Sequence, residues 1–235
     1  MKNQSKMPQI GEAIFCIIYL AFAFFIGIIV LLKYAKVSAS GSGYYGTDLL
    51  IIAALTLVLA GGDSFHLVPR IINAFKDNFE KYEFWAGLGL MVSSITMTVF
   101  YIILNLIFDI RFAGMYDYDY YFYETPFLNL LSYIAYLRII LCLFPQNNWF
   151  YKEGNMKWSI IRNVPFIFVG VLSVIYSFEA DFIGIGIAII ISFACYLPVV
   201  FGAKKNPKLG MLMIPKTIAY MYIIGYFFSR VMGGF

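Results

Sequence analysis

The chain has 235 residues, of which 62% are hydrophobic, 13% are charged and 20% aromatic, with a net charge of +4 and a mean hydropathy of +0.80. So few charges cannot cover the surface of a soluble enzyme of this size, and so many Phe and Tyr exclude a disordered chain, which leaves an integral membrane protein. Three cysteines, Cys16, Cys142 and Cys195, all inside apolar runs, exclude a disulfide scaffold, and one histidine excludes three-histidine zinc chemistry, so no metal or cofactor is expected.

Seven apolar segments long enough to cross a bilayer as helices follow in order, near residues 11–32, 48–72, 84–108, 127–144, 159–178, 182–203 and 209–232. None alternates apolar and polar residues as a barrel strand does, so the expected fold is all-α, a polytopic transmembrane bundle of about seven helices in a single domain, residues 1–235, without an internal repeat. The first segment is too long for a signal peptide, lacks a small-residue cleavage site, and is expected to remain as a helix. Ser38–Gly46, with three glycines and three serines in nine residues, reads as a flexible exterior connector. In the second segment Gly61, Gly62, Asp63, Ser64, His66, Pro69 and Arg70 crowd one end, which is expected either to kink or to line a site. The longer connection, 109–126, contains the Asp- and Tyr-rich stretch Met115–Tyr123, readable as an interfacial aromatic belt or as a lid that gathers a ligand.

Lysine and arginine placement gives the orientation. With the amino terminus inside, Lys2, Lys6, Arg70, Lys76, Lys81, Lys152, Lys157, Arg162, Lys204, Lys205, Lys208 and Lys216 fall on the cytoplasmic side. Lys33, Lys36, Arg111 and Arg230 fall opposite, and Arg138 lies within the fourth span. The basic residues therefore describe topology and contact with anionic lipid, with no nucleic-acid partner expected. The expected location is a plasma membrane of bacterial type.

Ionisable groups at membrane depth are costly and mark candidate sites. Asp63, His66 and Arg70 stand at i, i+3 and i+7, on one helix face descending toward the cytoplasm; they form either an internal salt link or a functional group. Arg138 lies about seven residues from the inner end of its span, roughly 10 Å deep at 1.5 Å per residue. Asp63 has a similar depth, so the two are expected to pair. Ser93, Ser94, Thr96, Asn163, Ser192, Cys195, Tyr196, Lys216 and Tyr220 share the inner half of the membrane. Together they suggest a pocket facing the cytoplasmic leaflet, although Lys216 also reads as a snorkelling residue and the hydroxyls as interhelical glue. Signatures of serine hydrolases, nucleotide hydrolases and zincins are absent, and the placement of lysine and the lone histidine argue against a retinal pigment and a ceramidase-like zinc amidase.

The run Gly62-Asp63-Ser64-Phe65-His66-Leu67-Val68-Pro69-Arg70, followed by Phe84-Trp85-Ala86-Gly87-Leu88-Gly89 through Phe100-Tyr101, resembles the YhhN family of lysoplasmalogenase-like membrane proteins. Weaker similarity continues through Asn163-Val164-Pro165 and Gly184-Ile185-Gly186 to Ser192. The resemblance implies hydrolysis of the vinyl-ether bond of a lysophospholipid, giving a fatty aldehyde and a glycerophospho-alcohol. Such chemistry begins with proton delivery to carbon, which assigns Asp63 as general acid and His66 as proton shuttle or water-orienting group. Arg70, Arg138, Ser192, Lys216 and Tyr220 are the candidate substrate-binding residues, with a membrane lipid or lysophospholipid as partner. The competing expectation is a lipid or small-ligand binding protein, or a transporter, on the same helices.

Overall fold

The computed structural model describes residues 6–40, 43–76, 82–113, 118–151, 154–202 and 206–233, and among them the only regular structure is helical. Seven α-helices succeed one another: α1 (Lys6–Ala39), α2 (Gly43–Phe75), α3 (Tyr82–Ala113), α4 (Tyr118–Leu143), α5 (Met156–Glu179), α6 (Ile183–Gly202) and α7 (Met213–Gly233). Each packs on the next in sequence, α7 returns to α1 and α2, and α3 also reaches α5, so the helices form a ring filled by their own side chains.

Six of the helices are long and apolar enough to cross a membrane, and α4 holds a shorter apolar stretch, Asn129–Leu143. On α1, Tyr19, Ala23, Ile26 and Val30 are buried against the bundle while Ile14, Ile18, Phe25 and Ile28 are exposed. A helix that is apolar on its outward face as well is one solvated by hydrocarbon. The chain is thus a polytopic helical membrane protein.

Local signals set the helix ends. Asn155 caps α5, its side chain accepting from the backbone N–H of Lys157 at 3.0 Å and Trp158 at 3.4 Å. At the other end of α5, Asp181 adopts a left-handed φ of 61°, which an Asp tolerates better than most residues, and α6 starts two residues later. The glycine- and serine-rich stretch 38–46 is a correction to the sequence reading: α1 runs to Ala39 and α2 begins at Gly43, so helix ends occupy most of the expected connector. Of Met115–Tyr123, residues 115–117 lie outside the described residues and 118–123 begin α4, with their side chains outside the description. Lys2, Lys81, Lys152, Lys204 and Lys205 also lie outside it.

Helix α2 continues without a break through Gly61, Gly62 and Pro69. Pro69 cannot donate to the carbonyl one turn back, that of Phe65. That carbonyl lies against Gly89 of α3, where a Cβ would come within 2.4 Å of it and 2.5 Å of the His66 Cα. Gly62 similarly faces Thr96, whose Oγ1 would stand 1.8 Å from an added Cβ. These two glycines let α2 and α3 approach closely, as small residues do between membrane helices.

Gly89→Val is therefore expected to lower the thermal stability of the detergent-solubilised protein by about 2 kcal/mol or more, because rigid backbone opposes the new side chain. Gly61→Ala, at a position where a Cβ meets nothing within 4 Å, should be neutral or mildly stabilising. Equal effects in a thermal unfolding assay would contradict the close-packing argument.

Candidate functional site

The polar residues of the lysine-rich half converge from all seven helices. At the centre is Asp63 of α2, 7% exposed. Its Oδ2 accepts from the Tyr19 hydroxyl of α1 at 2.7 Å, and its Oδ1 accepts from the Ser93 hydroxyl of α3 at 3.0 Å. One turn along α2, His66 brings Nδ1 to 3.8 Å from the same Oδ1. A buried carboxylate with acceptor bonds at both oxygens is satisfied in the way a charge at this depth requires.

A second polar contact repeats on the same helix pair toward the lysine-rich end. Arg70 pairs with Glu12 at 2.6 Å, both more than a third exposed. Glu12 and Tyr19 are seven residues apart on α1, as are Asp63 and Arg70 on α2, so the antiparallel pair carries two polar contacts two turns apart. The expected one-face series Asp63, His66, Arg70 is present, but Arg70 turns to Glu12 instead of joining the other two.

Arg138 of α4 is 1% exposed and does not pair with Asp63, contrary to expectation. Its guanidinium donates to the Ser94 carbonyl at 2.5 Å and to the Thr98 hydroxyl, and lies 3.7 Å from the centroid of the Phe166 ring. Its Nε is buried without a partner. The pairing fails because Ser94 and Thr98, one turn apart on α3, catch Arg138 with neutral oxygens, while Tyr19 and Ser93 already occupy Asp63.

Two cavities meet at this cluster. The smaller, about 30 Å³, is bordered by Tyr19, Asp63, His66, Arg70, Glu12 and Lys216. The larger, about 260 Å³, is lined by His66, Ser93, Ser94, Arg138, Arg162, Asn163, Tyr196 and Lys216 among its polar residues. His66 and Lys216 face both. Lys216, 8% exposed, sits 5.2 Å from the ring centroids of both Tyr196 and Tyr220, so its ammonium stays inside the bundle instead of snorkelling away. Tyr196 donates to Asn163 Oδ1 at 2.8 Å, joining α6 to α5.

Of the sequence candidates, Asp63, His66, Arg138 and Lys216 are thus brought together. Arg70 borders only the smaller cavity, and Ser192 and Tyr220 line neither of the two. Ser192 is buried, and the Tyr220 hydroxyl lies 3.4 Å from that of Tyr101, which places both within the packed interior. Sequence reasoning missed Tyr19 as a partner and Arg162 as a cavity residue. The matching seven-residue spacing of polar groups on the first two spans carried a signal for Tyr19; Arg162, counted as a loop-side charge, carried none. Among the described residues no group of His, Cys, Asp and Glu is placed to hold a metal ion.

Tyr19→Phe should cost about 1–3 kcal/mol of stability, because it strips a hydrogen bond from a buried carboxylate and leaves that oxygen without its donor. Glu12→Gln, on the more exposed pair, should cost less than about 1 kcal/mol. Chemical or thermal unfolding of the two variants side by side tests that order, and a Glu12→Gln loss as large as that of Tyr19→Phe would reverse it.

Against protein-family models, curated proteins and solved structures alike, the chain has no match, so no finding supports the expected resemblance to the YhhN family, and what is shown is a polytopic helical membrane protein.

Proposed function

We propose that this protein is an intramembrane hydrolase that cleaves the vinyl-ether bond of a lysophospholipid in the cavity between α2, α3, α4, α5, α6 and α7. The observation that carries the reading is His66 on the wall of a cavity of about 260 Å³, in the half of the bundle nearest the lysine-rich face, with its Nδ1 3.8 Å from the Asp63 carboxylate that borders the smaller cavity. A histidine beside a buried carboxylate is an arrangement that proton transfer uses.

The geometry favours a division of labour different from the sequence-based assignment. Both Asp63 oxygens accept hydrogen bonds from Tyr19 and Ser93, which fixes the carboxylate as a negative charge beside His66. His66, neutral at rest, takes up a proton and as the imidazolium gives it to the vinyl carbon remote from the ether oxygen, and the positive charge passes to the carbon bonded to that oxygen. Water adds there and returns a proton to His66, and the resulting hemiacetal collapses to fatty aldehyde and glycerophospho-alcohol. The negative charge of Asp63 stabilises the imidazolium that starts the cycle. Substrate phosphate is set toward Arg138 and Lys216, with the alkenyl ether beside His66.

The test is fatty-aldehyde release by purified protein from lysoplasmalogens bearing choline, ethanolamine or an unsubstituted phosphate. His66→Ala should reduce turnover by about a hundredfold or more, as removal of a general acid does. Asp63→Asn should lower kcat by about tenfold or more while leaving KM less affected, since it acts through His66. Absence of aldehyde from well-folded wild type with all three headgroups would reject the hydrolase in favour of ligand binding or transport by the same cavity.

A further inference from the structure

The larger cavity has an uncompensated charge. Arg138, Arg162 and Lys216 line it together with His66, and no described Asp or Glu does. None of the three cations makes an ion pair with a described carboxylate. Arg138 is held by a carbonyl, a hydroxyl and an aromatic ring. Arg162 donates to Asn147 Oδ1 at 2.7 Å and to Ser159 Oγ at 3.3 Å, and stacks 4.1 Å from the Trp149 ring centroid. Lys216 rests over two tyrosine rings. Asp63, across the wall that Lys216 shares with the smaller cavity, supplies one negative charge, and Glu12 is already paired with Arg70. With His66 neutral, the cluster keeps an excess of two positive charges in an environment where an unpaired charge is costly.

A wider chamber of about 400 Å³ adjoins this cavity. It lies among the near ends of α3 and α5 and the segment that joins α4 to α5, and shares Leu90, Trp149, Ser159, Arg162 and Val200 with the inner cavity. Arg162 and Trp149 therefore stand at the junction, with the guanidinium fixed flat on the indole.

We infer that the inner cavity is a binding site for a terminal phosphate, a phosphate monoester held by Arg138, Arg162 and Lys216 and admitted through the outer chamber past Trp149. A phosphate monoester carries between one and a half and two negative charges near neutral pH, by the general value of about −1.5 to −2, which matches the excess of two. Its oxygens supply acceptors to the unpartnered Arg138 Nε and to the Lys216 ammonium. A zwitterionic headgroup matches less well, because its ammonium would enter a cavity whose charged lining is all cationic. The ligand is either the phosphate of a lysophospholipid without a further headgroup or a free phosphorylated small molecule. For the hydrolase substrate this inference rests on the reading above, but the site itself is measured by binding, without turnover.

Isothermal titration of the full chain in detergent with inorganic phosphate, glycerol phosphate and lysophosphatidic acid reads the site directly, with lysophosphatidylcholine as the zwitterionic comparison. Saturable binding is expected for at least one of the three phosphate probes, with lysophosphatidylcholine about tenfold weaker or worse. Tight binding of glycerol phosphate equal to that of lysophosphatidic acid assigns a free ligand; a clear preference for lysophosphatidic acid assigns a lipid phosphate. Arg162→Gln and Lys216→Met should each weaken binding by about tenfold, the scale of a charge-assisted contact, and Arg138→Gln more. If Arg138→Gln fails to fold, the Arg162 variant at the junction decides. No saturable binding of any phosphate probe to folded wild type, or undiminished binding in both Arg162→Gln and Lys216→Met, overturns the site. Binding that survives His66→Ala while aldehyde release is absent in wild type would keep the phosphate site and remove the hydrolase.

Discussion

The buried carboxylate of Asp63 is the constraint around which the lysine-rich half of the bundle is organised. A charge at that depth requires donors, and it receives them from two different helices, Tyr19 of α1 and Ser93 of α3. Because each donor must reach a different oxygen, the three helices are fixed in rotation and register as well as in distance. The Arg70–Glu12 pair two turns away holds the same α1–α2 register at the more exposed end. His66 inherits its place from this arrangement, since one helical turn brings it back beside the carboxylate.

Close packing of α2 on α3 is the second half of that arrangement. Gly62 and Gly89 allow the backbones to come together, and Thr96 and the Phe65 carbonyl fill the space that side chains would have taken. The approach brings Ser93 within reach of Asp63 and leaves Ser94 and Thr98 turned toward α4, where they receive Arg138. The two sides of α3 thus separate an anion from a cation that would otherwise neutralise each other. Keeping them apart is what leaves a cationic cavity within the bundle, at a cost in stability that pairing would have avoided.

The opposite half of the bundle is built differently. Asn105 donates to Ser173 Oγ at 2.7 Å and to the Tyr101 carbonyl, Lys33 donates to the Val231 carbonyl, and Tyr176 donates to Asp109 at 3.3 Å. Apart from the Asn105–Tyr101 bond within α3, these contacts join helices across apolar surroundings, with aromatic pairs such as Phe108 and Phe182, 5.3 Å apart, packed between them. Neither of the two cavities at the Asp63 cluster reaches these groups. Bundle cohesion on that side and ligand chemistry on the lysine-rich side are accordingly assigned to different residues of the same helices.

That the chain is helical and membrane-embedded is legible in the sequence, because long apolar runs without the alternation of a barrel strand satisfy their backbone hydrogen bonds in a bilayer only as helices. The sequence also placed Asp63, His66, Arg138 and Lys216 in one half of the membrane, since depth follows from residue count along a helix. Helix rotation about its axis and the choice among neighbours do not follow from that count. Packing settles that Asp63 turns to Tyr19 and Ser93, that Arg138 is caught by Ser94 and Thr98, that Ser192 and Tyr220 lie outside the two cavities, and that Arg162 belongs to the larger one. The physical reason is that residues at equal depth can have several partners of comparable strength, and which pair forms depends on how closely the helices that carry them can approach.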